Sequence, residues 1–137
     1  MIFISATKKL ALKVDEIIER VRFKKLRKSE IFGNYKISQR RDLDISCVNA
    51  SFRLELESGT VRGARISLGG VGPTTLRLIT LEKLLLGEKI SRELIERVKG
   101  EMAVAIRPIS DARGSAEFRV KVVQNLFEKF AQEKLGL

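Results

Sequence analysis

Between Val48 and Glu57 the chain alternates without a break. Val48, Ala50, Phe52, Leu54 and Leu56 are apolar, and Asn49, Ser51, Arg53, Glu55 and Glu57 are polar. A period of two sends the two sets to opposite faces of an extended backbone, so this stretch predicts a strand with one face covered and one wet. Ser58-Gly59 supplies a turn, and Ala64, Ile66 and Leu68 resume the alternation with Arg65 and Ser67 between them. The pattern is that of a long antiparallel hairpin. Val61 and Ala64 are out of phase, and Gly63 between them marks the place for a bulge near Arg62-Gly63.

The flanks are read from the same rules. From Leu10 to Phe23 helical and alternating spacings both fit, and the almost wholly basic run Lys24 to Lys28 follows. The reading adopted is a strand from about Ile17 to Lys25, then an exposed turn, with Ser29 to Asn34 as a connector. After the hairpin, Gly69-Gly70-Val71-Gly72-Pro73-Thr74-Thr75 lacks the Lys-Ser/Thr ending of a phosphate loop. It predicts a tight crossing capped by Thr74 or Thr75, with a weak anion-cradle alternative. Leu78, Leu81, Leu84 and Leu85 then form a short amphipathic helix ended by Gly87. Ser91 is the expected N-cap of a second helix, striped by Leu94, Ile95, Val98, Met102 and Ala105 and closed by Pro108. Phe118, Val122, Leu126 and Phe130, widened by Val123 and Phe127, stripe a third helix that ends at Leu135-Gly136. Strands followed by helices give an α+β class, a three- to four-stranded antiparallel sheet packed against three helices.

Composition narrows the chemistry. The 137 residues, 44% hydrophobic, suit one core rather than two. There is no histidine and one cysteine, Cys47, which excludes an internal disulfide, a cysteine-based metal site and His-dependent catalysis by this chain alone. No apolar run is long enough to span a membrane, and MIFISATKKL is too short in apolar residues for a secretory signal, so a cytoplasmic protein is expected. The formal charge is +10, and residues 1 to 41 hold 12 basic against 4 acidic side chains. Near that basic segment only Phe23, Phe32 and Tyr35 could serve as aromatic platforms, so nucleic acid is the lesser reading and an interface or solvated face the greater.

Three motifs then fall in order: Tyr35-Lys36-Ile37-Ser38-Gln39-Arg40-Arg41-Asp42-Leu43-Asp44-Ile45-Ser46, Gly69-Gly70-Val71-Gly72-Pro73-Thr74, and Pro108-Ile109-Ser110-Asp111-Ala112-Arg113-Gly114-Ser115-Ala116-Glu117-Phe118-Arg119. Together they resemble the C-terminal subdomain of the FAD-binding subunit of molybdenum hydroxylases, the xanthine dehydrogenase and carbon monoxide dehydrogenase flavoproteins. The wording of the first motif is closer to the xanthine dehydrogenase branch. The resemblance covers roughly residues 12 to 135 and implies residues 35–137 as that subdomain, with 1–34 a remnant of the preceding FAD-binding subdomain and a connector.

The resemblance implies a lid that closes over flavin in a complex with an FAD-binding domain, an iron–sulfur subunit and a molybdopterin subunit, passing electrons to NAD or oxygen. It places Tyr35 and Lys36 at the flavin side, and the segment from Ser38 through Arg40 and Arg41 to Asp44 along the same edge. A lysine there would favour electron acceptance through its positive charge. Arg40 and Arg41 stay open between that role and charge pairs with Asp42 or Asp44. Leu43 departs from relatives that carry an acidic residue in its place. Residues 1 to 34 contain none of the Gly-rich segments that hold the FAD pyrophosphate in the family, so FAD is expected only with a complementary subunit or domain, and no autonomous catalysis. The alternatives are a small basic nucleic-acid-binding module and a self-associating remnant, a homodimer that buries Ile18 and Val21.

Overall fold

The computed structural model describes residues 4–6 and 9–137. Strands β1 (Ile4–Ala6) and β2 (Lys9–Leu10) form a small ribbon of their own. The main sheet is antiparallel, in the order β3 (Glu30–Ile37), β4 (Val48–Glu57), β5 (Thr60–Gly69) and β6 (Leu76–Arg77). Three helices follow, α1 (Ile79–Leu85), α2 (Arg92–Ala105) and α3 (Ala116–Leu135). The class is the expected α+β, with a four-stranded sheet. Among the described residues no helix is long and apolar enough to cross a membrane.

The central hairpin forms as its alternation requires. Val48, Ala50, Phe52 and Leu54 are buried, and so are Val61, Ala64, Ile66 and Leu68 opposite them. Ser58 and Gly59 both take positive φ, 50° and 78°, the conformation that a two-residue hairpin turn needs. The bulge sits where Gly63 placed it: Glu55 pairs with Gly63 and Leu56 with Val61, so Arg62 is the extra residue that returns Val61 to the core.

The leading segment differs from expectation. Residues 17–25 form no strand; Ile17, Val21 and Phe23 are exposed, and the strand is β3, over residues read as a connector. A strand exists only where a neighbour accepts its hydrogen bonds, and β4 offers its edge to Glu30–Ile37. Gly33 and Asn34, weak strand formers, are carried by that pairing. Residues 1–3 and 7–8 of the expected leading remnant lie outside the described residues.

The helices cover one face of the sheet, α3 against β3 and β4, and α1 against β5. Phe127 and Phe130 close on Phe52 at 5.3 Å between ring centroids, joining the third helix to the middle of the hairpin. Ser91 and Ser115 cap α2 and α3, accepting N–H bonds from Leu94 at 3.2 Å and Phe118 at 3.1 Å. Gly136 ends α3 at a positive φ of 72°. Neither Thr74 nor Thr75 caps α1. Leu78 holds that place without a side-chain bond, its N–H donating to the Ile66 carbonyl at 3.0 Å, because Leu76 and Arg77 first extend the sheet. Ala105 is exposed and Ile106, just past the helix end, is buried instead. On α3 Val123, Leu126, Phe127 and Phe130 are buried as the stripe predicts, but at its start Phe118 is 47% exposed and Arg119, 4% exposed, takes the inward place.

The two borders of the sheet are unlike. At one end of β5 the α1–α2 connection pairs with it, Gly87 N–H to Val61 O and Val61 N–H to Glu88 O, each at 2.9 Å, and β6 covers the other end. At the opposite border β3 has no strand beyond it among the described residues.

Candidate functional site

Tyr35 and Lys36 are neighbours at the end of β3 and therefore face opposite sides of the sheet. Tyr35 lies on the helix side, in ring contact with Phe52, and its hydroxyl donates to Glu133 at 3.0 Å. Burial, reinforced by the Glu133 carboxylate, pushes the phenol up to about 12. Lys36 lies on the open side, and its Nζ donates to the Asp44 carbonyl at 2.7 Å.

The segment from Ser38 to Ser46 is wound around Asp44. The Asp44 carboxylate accepts the N–H of Arg40 and of Ile45, each at 2.9 Å, and the Arg40 guanidinium stands 3.7 Å from it. The Arg40 N–H, foremost, holds the Asp44 carboxyl below its usual range against the opposing effect of burial. Ser38 Oγ donates to Arg40 O at 2.8 Å, and the Arg40 guanidinium also donates to Leu43 O at 3.3 Å. Leu43 sits at the crest with φ 50° and 97% exposure. Lys36, Ser38 and Arg40 are thus gathered on one backbone turn, Arg41 is exposed beside them, and Tyr35 is on the far side of the sheet. Of the two roles open for Arg40, the charge pair with Asp44 is present.

The base of this segment rests on a residue that the helical pattern did not reveal. Arg119 donates through one terminal nitrogen to Cys47 O and to Gly70 O, both at 2.6 Å, and through the other to Asp111 at 2.6 Å. The second and third sequence motifs and Cys47, the residue that follows the first motif, therefore meet at one guanidinium. The signal was in the spacing: Arg119 precedes Val123 and Phe127 by four and eight residues, so it shares their buried face. Cavities lie on either side. One, of about 320 Å³, is walled by Ile37, Cys47 and Phe118 with Gln39 and Arg113 at its rim. The other, of about 340 Å³, lies between Gly70, Pro73, Arg107 and Ile109. Among the described residues no cluster of three His, Cys, Asp or Glu side chains could hold a metal.

Comparison with known proteins agrees with this architecture. The model of the CO dehydrogenase flavoprotein C-terminal domain matches residues 33–134, which take in nearly all of β3 through α3. The xanthine dehydrogenase FAD-binding subunit of Escherichia coli O157:H7 is 24% identical over 129 residues, covering 93% of this chain and 44% of that protein. The glyceraldehyde dehydrogenase medium chain of Sulfolobus acidocaldarius is 28% identical over 99 residues, covering 72% of this chain. The chain spans 35% of that relative's length and 8% of the xanthine dehydrogenase of Blastobotrys adeninivorans, to which it is 33% identical. Carbon monoxide dehydrogenase from Hydrogenophaga pseudoflava has the same fold, with a TM-score of 0.70 at 22% identity over 76% of this chain and 36% of that one. By the span of the family match and the shared fold, the chain belongs to the C-terminal domain family of the molybdenum hydroxylase flavoproteins, that of the CO dehydrogenase and xanthine dehydrogenase FAD-binding subunits.

Proposed function

We propose that this chain acts as the lid of a molybdenum hydroxylase FAD site, with Lys36, Ser38, Arg40 and Arg41 on the flavin side, Tyr35 behind them on the helix side of the sheet, and the remaining contacts supplied by an FAD-binding partner. The observation that carries the reading is the turn around Asp44: it holds Lys36 and Arg40 in fixed positions at an exposed edge, within the residues matched by the family. The chemistry supplied by bound FAD would be transfer of electrons from iron–sulfur centres to NAD or oxygen.

The residues present fit one side of such a group. Lys36 and Arg40 place positive charge at an exposed edge, where it favours the uptake of electrons. The cavities beside the turn, about 320 and 340 Å³, are small for a dinucleotide. Residues 14–26 belong to this reading as the docking arm toward the FAD-binding domain, since Val14, Ile17, Val21 and Phe23 are exposed and a partner surface would cover them. Affinity capture from the source cells tests the proposal directly. An FAD-binding or iron–sulfur protein is expected to come with the chain, and recovery of unrelated partners alone would sink the reading.

A further inference from the structure

We propose that Arg119 is the positioning residue of the Ser38–Ser46 segment: from the first turn of α3 it fixes the carbonyl that ends the segment, and through Asp111 it couples the segment to the α2–α3 loop. The two arms of the segment are pinned separately. Cys47 N–H donates to Ile37 O at 2.7 Å, closing the base, and Arg119 holds the Cys47 carbonyl at 2.6 Å. Gln39, at the start of the segment, donates to Ala112 O at 3.1 Å, so both arms lean on residues 111 and 112.

A charged side chain that is only 5% exposed is tolerated only when its charge is matched and its N–H groups are taken up. Asp111 matches the charge. The other acceptors are backbone carbonyls, so what Arg119 senses is where the Cys47 and Gly70 strand ends lie rather than which side chains they carry. Its Nε–H has no acceptor among the described residues, so the terminal nitrogens make all its contacts. From Arg119 the path runs through Cys47 and the turn to the Asp44 carbonyl, which holds Lys36 Nζ. A displacement of the α2–α3 loop would therefore move the lysine. The coupling to flavin rests on the proposed function, whereas the clasp itself does not.

Cys47 is the sole cysteine, and it is 2% exposed beside the carbonyl concerned, so its reaction with an aromatic disulfide reagent under native conditions reports opening of the segment. Arg119→Lys and Asp111→Ala are each expected to raise the labelling rate roughly ten- to hundredfold, with amide exchange of Ile66 in the central hairpin unchanged. An unchanged labelling rate, or equal acceleration at Cys47 and Ile66, overturns the proposal. Should Arg119→Lys fail to fold, Asp111→Ala carries the test, its side chain being 33% exposed. In the flavoprotein complex, Asp111→Ala is expected to shift the flavin reduction potential in the same direction as Lys36→Ala. A shift with Lys36→Ala and none with Asp111→Ala removes the coupling and leaves the proposed function standing. A shift with neither removes Lys36 from the proposed flavin site, and Cys47 labelling of the chain alone then decides the clasp.

Discussion

The Glu82 carboxylate accepts the backbone N–H of Ile66 at 3.0 Å, in the middle of β5. β6 is too short to reach Ile66 N–H, so a side chain from α1 completes the edge, and Arg77 closes on the same carboxylate at 2.8 and 2.6 Å. Glu82 is 4% exposed, and Glu82→Ala would leave a buried N–H and a bared guanidinium. The expected loss is about 3 kcal/mol in urea unfolding.

The same carboxylate sets a pH dependence. Burial alone would raise its pKa, but Arg77, the Ile66 N–H and Arg65 together hold it below the ordinary value of 4.5. A group depressed on folding contributes fully above its unfolded pKa and loses its contribution as pH falls through the folded one. Stability should therefore fall on acidification below about 4.5, and less steeply in Glu82→Ala than in the parent chain. Urea midpoints measured down the acid limb check this, and parallel profiles would exclude Glu82 as a contributor.

Two glycines of the Gly69–Gly72 run should behave oppositely. Gly70 has φ 79°, and a Cβ there would stand 2.2 Å from Cys47 O; for Gly72 the nearest atom would be 3.8 Å away. Gly70→Ala is expected to cost about 3 kcal/mol or more, by forcing apart the carbonyls that Arg119 bridges. Gly72→Ala is expected to stay within about 0.5 kcal/mol. Thermal melts of the pair would show the difference, and equal melts would refute it.

What could be read in the sequence was what local patterning controls. Val48 to Leu68 alternates because one face is dry and the other wet, and Gly63 betrays its bulge because a bulge asks for a permissive backbone. Ser91 and Ser115 cap where a short acceptor must precede a helix. The misreadings involve partners remote in sequence. Glu30–Asn34 is a strand only because Arg53, Phe52 and their neighbours pair with it, while Ile17–Lys25, a better strand by composition, finds no edge among the described residues. The motif placed Lys36, Ser38 and Arg40 together. The resemblance set Tyr35 beside Lys36, and adjacency along the strand sends the two side chains to opposite faces. Arg119 went unnoticed because, besides Asp111, the acceptors that let it be buried are carbonyls 49 and 72 positions away.

Flavin retention follows from the one-sided edge. The chain alone is expected to purify without the visible absorbance of bound flavin, since it offers the contacts of one lid. With a flavoprotein partner, Lys36→Ala should make the flavin harder to reduce, by roughly 20–40 mV for a two-electron couple. Spectra of the isolated chain and redox titration of the complex are the measurements. Stoichiometric flavin on the chain alone would contradict the first, and an unaltered potential the second.

Limited tryptic digestion should find the arm before the core. Arg20, Arg22, Lys24 and Lys25 are exposed on a segment without regular structure, whereas β3 onward is hydrogen-bonded. Mass spectrometry is expected to show early cuts at these four residues and a persistent fragment containing β3 through α3. Protection of the arm on adding an FAD-binding partner would identify what covers it; early cleavage inside β4 or β5 would contradict the architecture.

The unequal borders of the sheet give this domain a direction of growth. With β5 flanked by β6 and the α1–α2 connection, the open border of the main sheet among the described residues is the one alongside β3. That border runs the length of β3, which carries Lys36 just before its last residue, so a polypeptide that extended the sheet would arrive next to the lysine and the turn around Asp44. A second copy docking there would be a competitor of the flavoprotein partner for the same rim, and self-association and lid function would be alternatives of one molecule, exchanged by concentration.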